Sequence, residues 1–204
     1  MAPIVSDEYK EMKRQEILQS AHACFAKKGF EASTVDDIVS HSGISKGAIY
    51  NYFKSKDEIY LALMEGQTNE SGTKFTRGIA KCESALEKLN FLIDAYLNND
   101  PNAEENKDQA LVHYEFRLYS TRKPELKKAL TDRYQDFFVT LLTDIIEEGQ
   151  AAGEFKKGIE PKGYADIFWA MVNGVTLQAT ILNAYHYKDI LKEMQTMFIE
   201  KLKA

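Results

Sequence analysis

Apolar residues recur every three to four positions along most of the chain, a spacing that predicts α-helices rather than strands. Ile17, Ala21 and Phe25 mark one face of a first helix over about residues 10–28. Gly29 follows at the position where a left-handed, helix-ending residue is expected. No segment alternates convincingly between apolar and polar residues, and no internal repeat is visible. The pattern therefore predicts an all-α protein of about nine helices.

Capping signals divide the next segment into two short helices and a longer one. Ser33 or Thr34 can cap a second helix, which Gly43 ends. Ser45 can cap a third helix, and Ser55 opens a fourth with an S-x-x-E capping box. Two short helices joined by a tight glycine turn inside a small bundle are typical of a helix-turn-helix motif.

Longer helices follow in the rest of the chain, over about residues 83–98, 104–119, 124 to 149 or 153, 161–184 and 190–202. No Pro/Ser-rich linker separates them from the first helices, so we place the domain boundary inside the helix near residues 65–80. We predict a helix-turn-helix domain over 11–71, with its motif at about 34–53, and a second helical domain over 72–204.

Composition is that of an ordinary globular protein, with 44% hydrophobic and 28% charged residues in a chain of 204. No apolar run approaches the roughly 20 residues that span a bilayer, and no signal-peptide core follows Met1. Cys24 and Cys82 fit no C-x-x-C spacing, which favours a reducing, cytoplasmic compartment. The net charge of −5 argues against wrapping nucleic acid over the whole surface, but allows a small DNA-reading face. We expect a cytoplasmic protein without a membrane partner.

The chain carries no recognisable catalytic motif. It lacks G-x-S-x-G, a P-loop and H-E-x-x-H, and its four histidines do not stand at metal-ligand spacing. His113 and Glu115 form an H-x-E pair without the cysteines that a zinc deaminase needs, so a structural histidine is the better interpretation. We therefore expect no enzymatic activity, no metal and no cofactor.

The segment 42–53 has the features of a helix that enters the major groove of DNA. Ser45, Gly47 and Ala48 keep the start of the third helix slim, which lets the backbone come close to the bases. Lys46 adds a positive charge where free backbone N–H groups suit a phosphate. No acidic residue lies between Ser42 and Lys56.

Helical spacing also sorts the side chains of this segment into an inner and an outer face. Ile49 and Phe53, four positions apart, face the core. Asn51 can read an adenine edge, while the hydroxyl groups of Tyr50 and Tyr52 can hold phosphates. The outward positions are Lys46, Tyr50, Asn51 and Lys54. A capped connector helix whose tyrosines cover the edge of the core would produce the same pattern.

Residues 34–39, 42–53 and 54–57 together resemble the DNA-binding domain of the TetR family of bacterial transcription regulators. The resemblance covers about residues 11–71, and its core is the run G-I-S-K-G-A-I-Y-N-Y-F. Val39 departs from it, since the family usually places alanine there. The resemblance implies phosphate contacts from Thr34, Tyr50, Tyr52 and Lys56, and an approach to the bases by Ser45, Lys46, Gly47 and Asn51. The complete predicted DNA-binding set is Thr34, Ser45, Lys46, Gly47, Ala48, Tyr50, Asn51, Tyr52, Lys54 and Lys56.

The family resemblance implies that residues 72–204 form a helical effector-binding and dimerisation domain. Arg117 and His113 could orient an anionic or polar ligand if they point inward, although exposed positions are an alternative. The aromatic residues could line a cavity or simply fill the core. The predicted ligand-binding residues are Phe91, His113, Tyr114, Arg117, Phe137, Phe138, Trp169 and Asn173.

The helix over 161–184 is apolar on more than one face. One apolar face is enough to pack within the subunit, so we expect the other apolar surface to contact a second copy of the chain. A central helix buried within its own subunit is the alternative. A symmetric dimer would read a palindromic operator with two half-sites. The predicted interface residues are Trp169, Val175, Gln178, Ile181, Leu182, Met194, Met197 and Phe198.

These features predict a sequence-specific DNA-binding transcription regulator, a repressor that a small apolar or aromatic effector releases from its operator. The first alternative is a DNA-bound recruiter of the same fold that needs no effector. The second is a helical small-molecule carrier or enzyme that merely contains a helix-turn-helix.

Overall fold

The computed structural model describes residues 6–99, 101, 103–182 and 186–204. Within these residues the only extended pairing is an isolated bridge between Phe155 and Lys203, which confirms the all-α class. The helices are α1 (Asp7–Lys28), α2 (Val35–Ser42), α3 (Lys46–Tyr52), α4 (Lys56–Ile79), α5 (Ala85–Leu97), α6 (Glu104–Ser120), α7 (Pro124–Arg133), a π-helical segment (Tyr134–Val139), α8 (Thr140–Ala152), α9 (Pro161–Leu182) and α10 (Tyr187–Leu202).

The caps of the N-terminal helices lie where the sequence places them. The Thr34 side chain accepts a hydrogen bond from the N–H of Asp37, and the Asp37 carboxylate accepts one from Thr34, so α2 begins with a complete capping box. Gly43 ends α2 in the left-handed region with a φ of 69°. Ser45 and Ser55 cap α3 and α4 through their hydroxyl groups. Local side-chain chemistry therefore sets where α2, α3 and α4 begin.

The predicted single helix from residue 124 to about 149 or 153 contains a π-helical interruption at Tyr134–Val139. Counting α7, this segment and α8 as one continuous rod leaves nine helices in the described part of the chain. The Thr140 hydroxyl donates to the Gln135 carbonyl at 2.9 Å, five residues back, where the helix is wider. Such interruptions are frequent at functional sites.

Two separate apolar cores hold the chain together. The first is built around Ile17, Phe25 and Ile49 of the N-terminal helices, but it also contains Val112 and Phe116 of α6. The second joins α5 and α8 to α10. Helix α4 passes across the predicted boundary at residue 72, and α6 packs back onto the N-terminal core. The two cores therefore do not divide where the chain order suggests.

Helix α9 is long and apolar enough to cross a membrane by length and composition alone, although its sequence pattern did not indicate a membrane span. In the structure it packs against α8 and α10, with Ala165, Phe168 and Val172 buried in the second core. One face of α9 therefore belongs to the second core. Its predicted end at Ala184 lies outside the described residues.

Candidate DNA-binding surface and effector cavity

Helix α3 is held by its two apolar anchors. Ile49 and Phe53 are buried in the first core, and the Arg14 guanidinium lies 5.4 Å from the centre of the Phe53 ring. Anchoring one face leaves the other open to solvent. The exposed members of the predicted DNA-binding set are Thr34, Ser45, Lys46, Gly47, Tyr50, Asn51 and Lys54, whereas Ala48, Tyr52 and Lys56 are half-buried.

Lys46 is paired with an acid of the neighbouring helix. Its ammonium lies 2.8 Å from the Asp36 carboxylate, which raises the pKa of Lys46. Both side chains are solvent-exposed, so the pair is weak and a phosphate can replace the carboxylate. Because the first 64 residues also carry a net charge of −1, this surface is nearly neutral as a whole.

Lys56 does not have the geometry that its predicted phosphate contact requires. Its ammonium donates to the carbonyl oxygens of Phe30, Glu31 and Ser33 at 2.6, 3.1 and 2.8 Å. An ammonium has three hydrogens, so these bonds use its full donor capacity. Burial lowers the pKa of Lys56. These bonds disfavour the predicted phosphate contact. Lys56 instead anchors the α1–α2 loop.

Two adjacent chambers lie between α4, α6 and α9. The first is bounded by α1 and has a volume of about 240 Å³. The second is bounded by α5, α7 and the π-helical segment and has a volume of about 560 Å³. Four residues line both chambers: Met64, His113, Arg133 and Asn173. We call the two chambers together the effector cavity.

The structure brings six of the eight predicted ligand-binding residues to the effector cavity: His113, Tyr114, Arg117, Phe138, Trp169 and Asn173. The other two lie outside it. The Phe91 ring covers Gly78 of α4, where an added Cβ would lie 1.9 Å from the ring. The Phe137 ring packs on Gly72 instead. Both rings pack against glycines of α4 and therefore do not line these two chambers.

Sequence reasoning missed several residues of the cavity, of which Arg133 is the most informative. It lies between Leu130 and Phe137 in the apolar stripe of its helix, so a charge inside that stripe was the available signal. Its Nε donates to the Thr68 hydroxyl on α4, and its guanidinium lies 5.3 Å from the centre of the Phe138 ring. Burial lowers the pKa of Arg133.

His113 is a neutral cavity residue at physiological pH. Burial, aided by the nearby positive charges of Arg117 and Arg133, lowers its pKa to about 4. A neutral imidazole offers one donor and one acceptor. Within the described residues no group of three or more His, Cys, Asp or Glu side chains could hold a metal ion.

Helix α6 connects the effector cavity to the N-terminal domain. Its Glu115 carboxylate accepts the Phe30 N–H at 2.6 Å, and its Phe116 ring stacks on Tyr60 with ring centres 4.2 Å apart. Tyr119 donates to Asp57 at 3.2 Å, at the start of α4. Helix α6 thus contacts both the cavity and the N-terminal domain that carries the helix-turn-helix.

A glycine makes room for the Glu115 contact. Gly29 beside it has a φ of 82°, and a Cβ there would meet the Glu115 carboxylate. The helix-ending glycine predicted from the sequence therefore also admits α6 to the N-terminal domain.

The predicted dimer residues fall into three groups by exposure. Trp169, Met194 and Phe198 are buried within their own subunit, so the structure corrects these three. Val175 is half-buried against the second core. The exposed members are Gln178, Ile181, Leu182 and Met197, and Ile167 adds a further exposed apolar residue on α9. The residual apolar face is therefore smaller than the sequence suggested.

Comparison with known proteins decides the family. Residues 17–63 match the family model of bacterial regulatory proteins of the tetR family, and residues 85–202 match the C-terminal model of BetI-type transcriptional repressors. The chain belongs to the TetR family. Members of this family bind operator DNA and small molecules as homodimers, act in the cytoplasm and are normally not enzymes.

Individual TetR-family relatives extend over nearly the whole chain. The Bacillus subtilis HTH-type transcriptional regulator YfiR is 29% identical over 189 residues, covering 93% of this chain and 88% of its own. The crystal structure of FadR from Bacillus subtilis with stearoyl-CoA has a TM-score of 0.79 at 20% identity, covering 92% and 98% of the two chains. A Saccharomonospora viridis regulator with choline has a TM-score of 0.78 at 23% identity, covering 95% and 99%. The chain is a DNA-binding transcription regulator of the repressor type.

Proposed function

We propose that this regulator represses transcription from a palindromic operator and is released when a small molecule with an apolar body fills the effector cavity. The observation that carries the proposal is the double role of α6. Its residues His113, Tyr114 and Arg117 line the cavity, while Glu115 and Tyr119 bond to the N-terminal domain. A ligand that moves this helix acts directly on both attachments.

The lining of the cavity supports an apolar ligand body. The second chamber is walled by the rings of Tyr96, Phe138 and Trp169 and by the side chain of Val172. The Trp169 indole N–H is already bonded to the Phe138 carbonyl at 2.8 Å, so this ring offers a ligand its apolar face. The neighbouring structures hold ligands as different as stearoyl-CoA and choline, and therefore leave the ligand class open.

Release follows from linkage between the two sites. An effector that lowers operator affinity by a given factor must bind the DNA-free form more tightly by the same factor, typically about 5- to 150-fold. The Asp57 carboxylate, at the start of α4 and next to α3, accepts hydrogen bonds from the Tyr119 hydroxyl and the Lys123 ammonium. Displacement of α4 would change the distance between the two α3 helices of a dimer.

The dimer is part of the proposal. A single reading helix contacts few bases, so helix-turn-helix proteins pair two of them across half-sites about 34–36 Å apart. The outer face of α9 supplies Ile167, Gly174 and Ile181, and Met197 is an exposed apolar residue on the neighbouring helix α10. Gly174 has open space around its Cα, which permits close approach of a second helix.

The test begins with selection of the operator from a pool of random duplexes by the purified protein. Fluorescence anisotropy then measures operator affinity with and without a panel of apolar small molecules, and sedimentation measures the mass of the complex. We expect a palindromic consensus, two chains per site, and a fall in affinity with at least one compound. Binding without any enriched sequence would contradict the regulator. Enrichment with no response to any apolar compound would favour the effector-independent recruiter.

A further inference from the structure

Arg133 lies in the wall of the effector cavity and has no counter-ion among the described residues. None of the ion pairs among the described residues includes it. Its side chain makes one hydrogen bond, from Nε to the Thr68 hydroxyl, and its guanidinium faces the Phe138 ring. The two terminal nitrogens of the fork donate to no group in the described part of the chain, and the residue lines both chambers.

Among the described residues, the charged side chains that line the second chamber are all positive. Arg117 and Lys127 line the second chamber with Arg133, and no acidic side chain lines either chamber among the described residues. His113 beside it is neutral at physiological pH, because burial lowers its pKa to about 4. The hydroxyl groups of Ser120, Thr121 and Thr131 also line the second chamber, but each already donates to a backbone carbonyl three or four residues back, so the guanidinium is left as the main donor for an anion.

An unpaired, half-buried arginine is an unfavourable arrangement in a protein that has no use for it. Removing a guanidinium from water is costly unless an anion or several acceptors replace the water. The planar fork of arginine matches the two oxygens of a carboxylate or a phosphate. A cationic ligand would meet three positive charges in the same chamber, which disfavours it.

We infer that the effector is an anionic amphiphile whose single carboxylate or phosphate group binds the guanidinium of Arg133, with its apolar body against Tyr96, Phe138 and Trp169. This inference rests on the proposed effector site and names the chemical class that the site accepts. Arg117, at the exposed side of the second chamber, attracts the anion and holds Asn173 at 3.5 Å.

The chain carries its own reporter for the test. Trp169 is the single tryptophan and lines the second chamber, so its fluorescence reports a ligand there directly, without DNA. The probes share one twelve-carbon chain and differ only in the head group: dodecanoate, dodecyl phosphate, dodecanol and dodecyltrimethylammonium. Each is titrated below its micellar concentration into the full-length protein.

We expect the two anions to bind at least about tenfold more tightly than dodecanol, because only they pair with the guanidinium, and the ammonium compound to bind most weakly. The ratio of dodecanoate to dodecyl phosphate then distinguishes a carboxylate effector from a phosphate effector. Arg133→Gln should bring the anions down to the affinity of dodecanol while leaving dodecanol itself unchanged. Arg133→Lys, which keeps the charge but loses the fork, should show an intermediate affinity.

Arg122→Gln is the matched control, since it removes the same charge from an exposed position outside both chambers. It should leave every probe close to the wild-type affinity. Equal or tighter binding of dodecanol or of the ammonium compound by the wild-type chain would overturn the anion inference and leave the effector site intact. If none of the four probes changes Trp169 fluorescence or operator affinity, both the inference and the proposed effector site fail.

Discussion

Helices α2 and α3 lie over a filled core and present polar residues to solvent, whereas α4, α6, α7 and α9 enclose two chambers that side chains leave open. In the first region each short helix has a side-chain cap and a fully buried isoleucine, Ile38 or Ile49. In the second region a guanidinium remains unpaired in the cavity wall among the described residues. Close packing holds a reading surface rigid, while an underfilled region can change on binding.

The largest effect is expected from a substitution that creates a cavity in the filled core beneath α3. Ile49→Ala removes a fully buried side chain from the core under α3 and should lower the free energy of unfolding by about 2–5 kcal/mol. Denaturant unfolding followed by circular dichroism measures the loss. Leu118→Ala, at a side chain that is 72% exposed, is the control and should change stability little.

The same variant tests how independent the two regions are. Because Val112 and Phe116 of α6 belong to the first core, we expect Trp169 fluorescence, which reports the second region, to shift to the same lower denaturant concentration. A shift seen by circular dichroism alone would show that the two cores unfold separately.

The filled region was also the more predictable one. Thr34, Gly43, Ser45 and Ser55 act on neighbours within four residues, so a single sequence contains the whole of each signal. The burial of Ile49 follows from helical periodicity in the same way. The helix-turn-helix and its outward-facing third helix could therefore be predicted from local signals alone.

The cavity was predictable only in part, because it depends on contacts between residues far apart in the chain. Arg133 meets Thr68 across 65 positions, and Glu115 meets Phe30 across 85. Likewise, helical periodicity does not show that the Lys56 ammonium donates its hydrogen bonds to backbone carbonyl groups. Nor does it show that glycines of α4 receive the rings of Phe91 and Phe137.

The second prediction removes the bond that joins the two regions. Glu115→Ala leaves the Phe30 N–H without its acceptor and should cost about 1–3 kcal/mol of stability. It should also reduce the factor by which an effector lowers operator affinity, because α6 loses one attachment to the reading head. Glu125→Ala, at an exposed position of α7, serves as the control. A stable variant with undiminished coupling would remove Glu115 from the path.

The third prediction concerns pH and the underfilled region. The pKa of His113 is about 4 in the folded chain and about 6.5 when unfolded, so the unfolded state binds more protons between these values. Its stabilising contribution is complete above pH 6.5 and is lost as the pH falls toward 4. From about pH 7.5 to about pH 5 we expect a loss of up to about 2 kcal/mol.

His113→Gln should flatten this part of the stability curve, since glutamine does not titrate. Unfolding by urea at half-unit pH intervals compares the two chains. His186→Gln, at an exposed position, controls for the removal of a histidine and should keep the wild-type slope. Parallel slopes for the wild-type chain and His113→Gln would show that His113 is not the group responsible.

The smallest effect is expected at the polar surface of the filled region, where we expect Lys46 to leave the Asp36 carboxylate and pair with a DNA phosphate. Its ion pair with Asp36 is exposed, so breaking it costs at most about 1 kcal/mol when a phosphate takes its place. Lys46→Ala should lower affinity for every DNA sequence alike and reduce the salt slope of binding by about one. Asp36→Asn should act in the opposite direction, since it frees the lysine and removes a negative charge facing DNA. Lys74→Ala, which breaks an equally exposed pair with Glu70 on α4, is the control. Operator affinity measured across a salt series separates the cases: a change in sequence preference with an unaltered slope would make Lys46 a base contact instead.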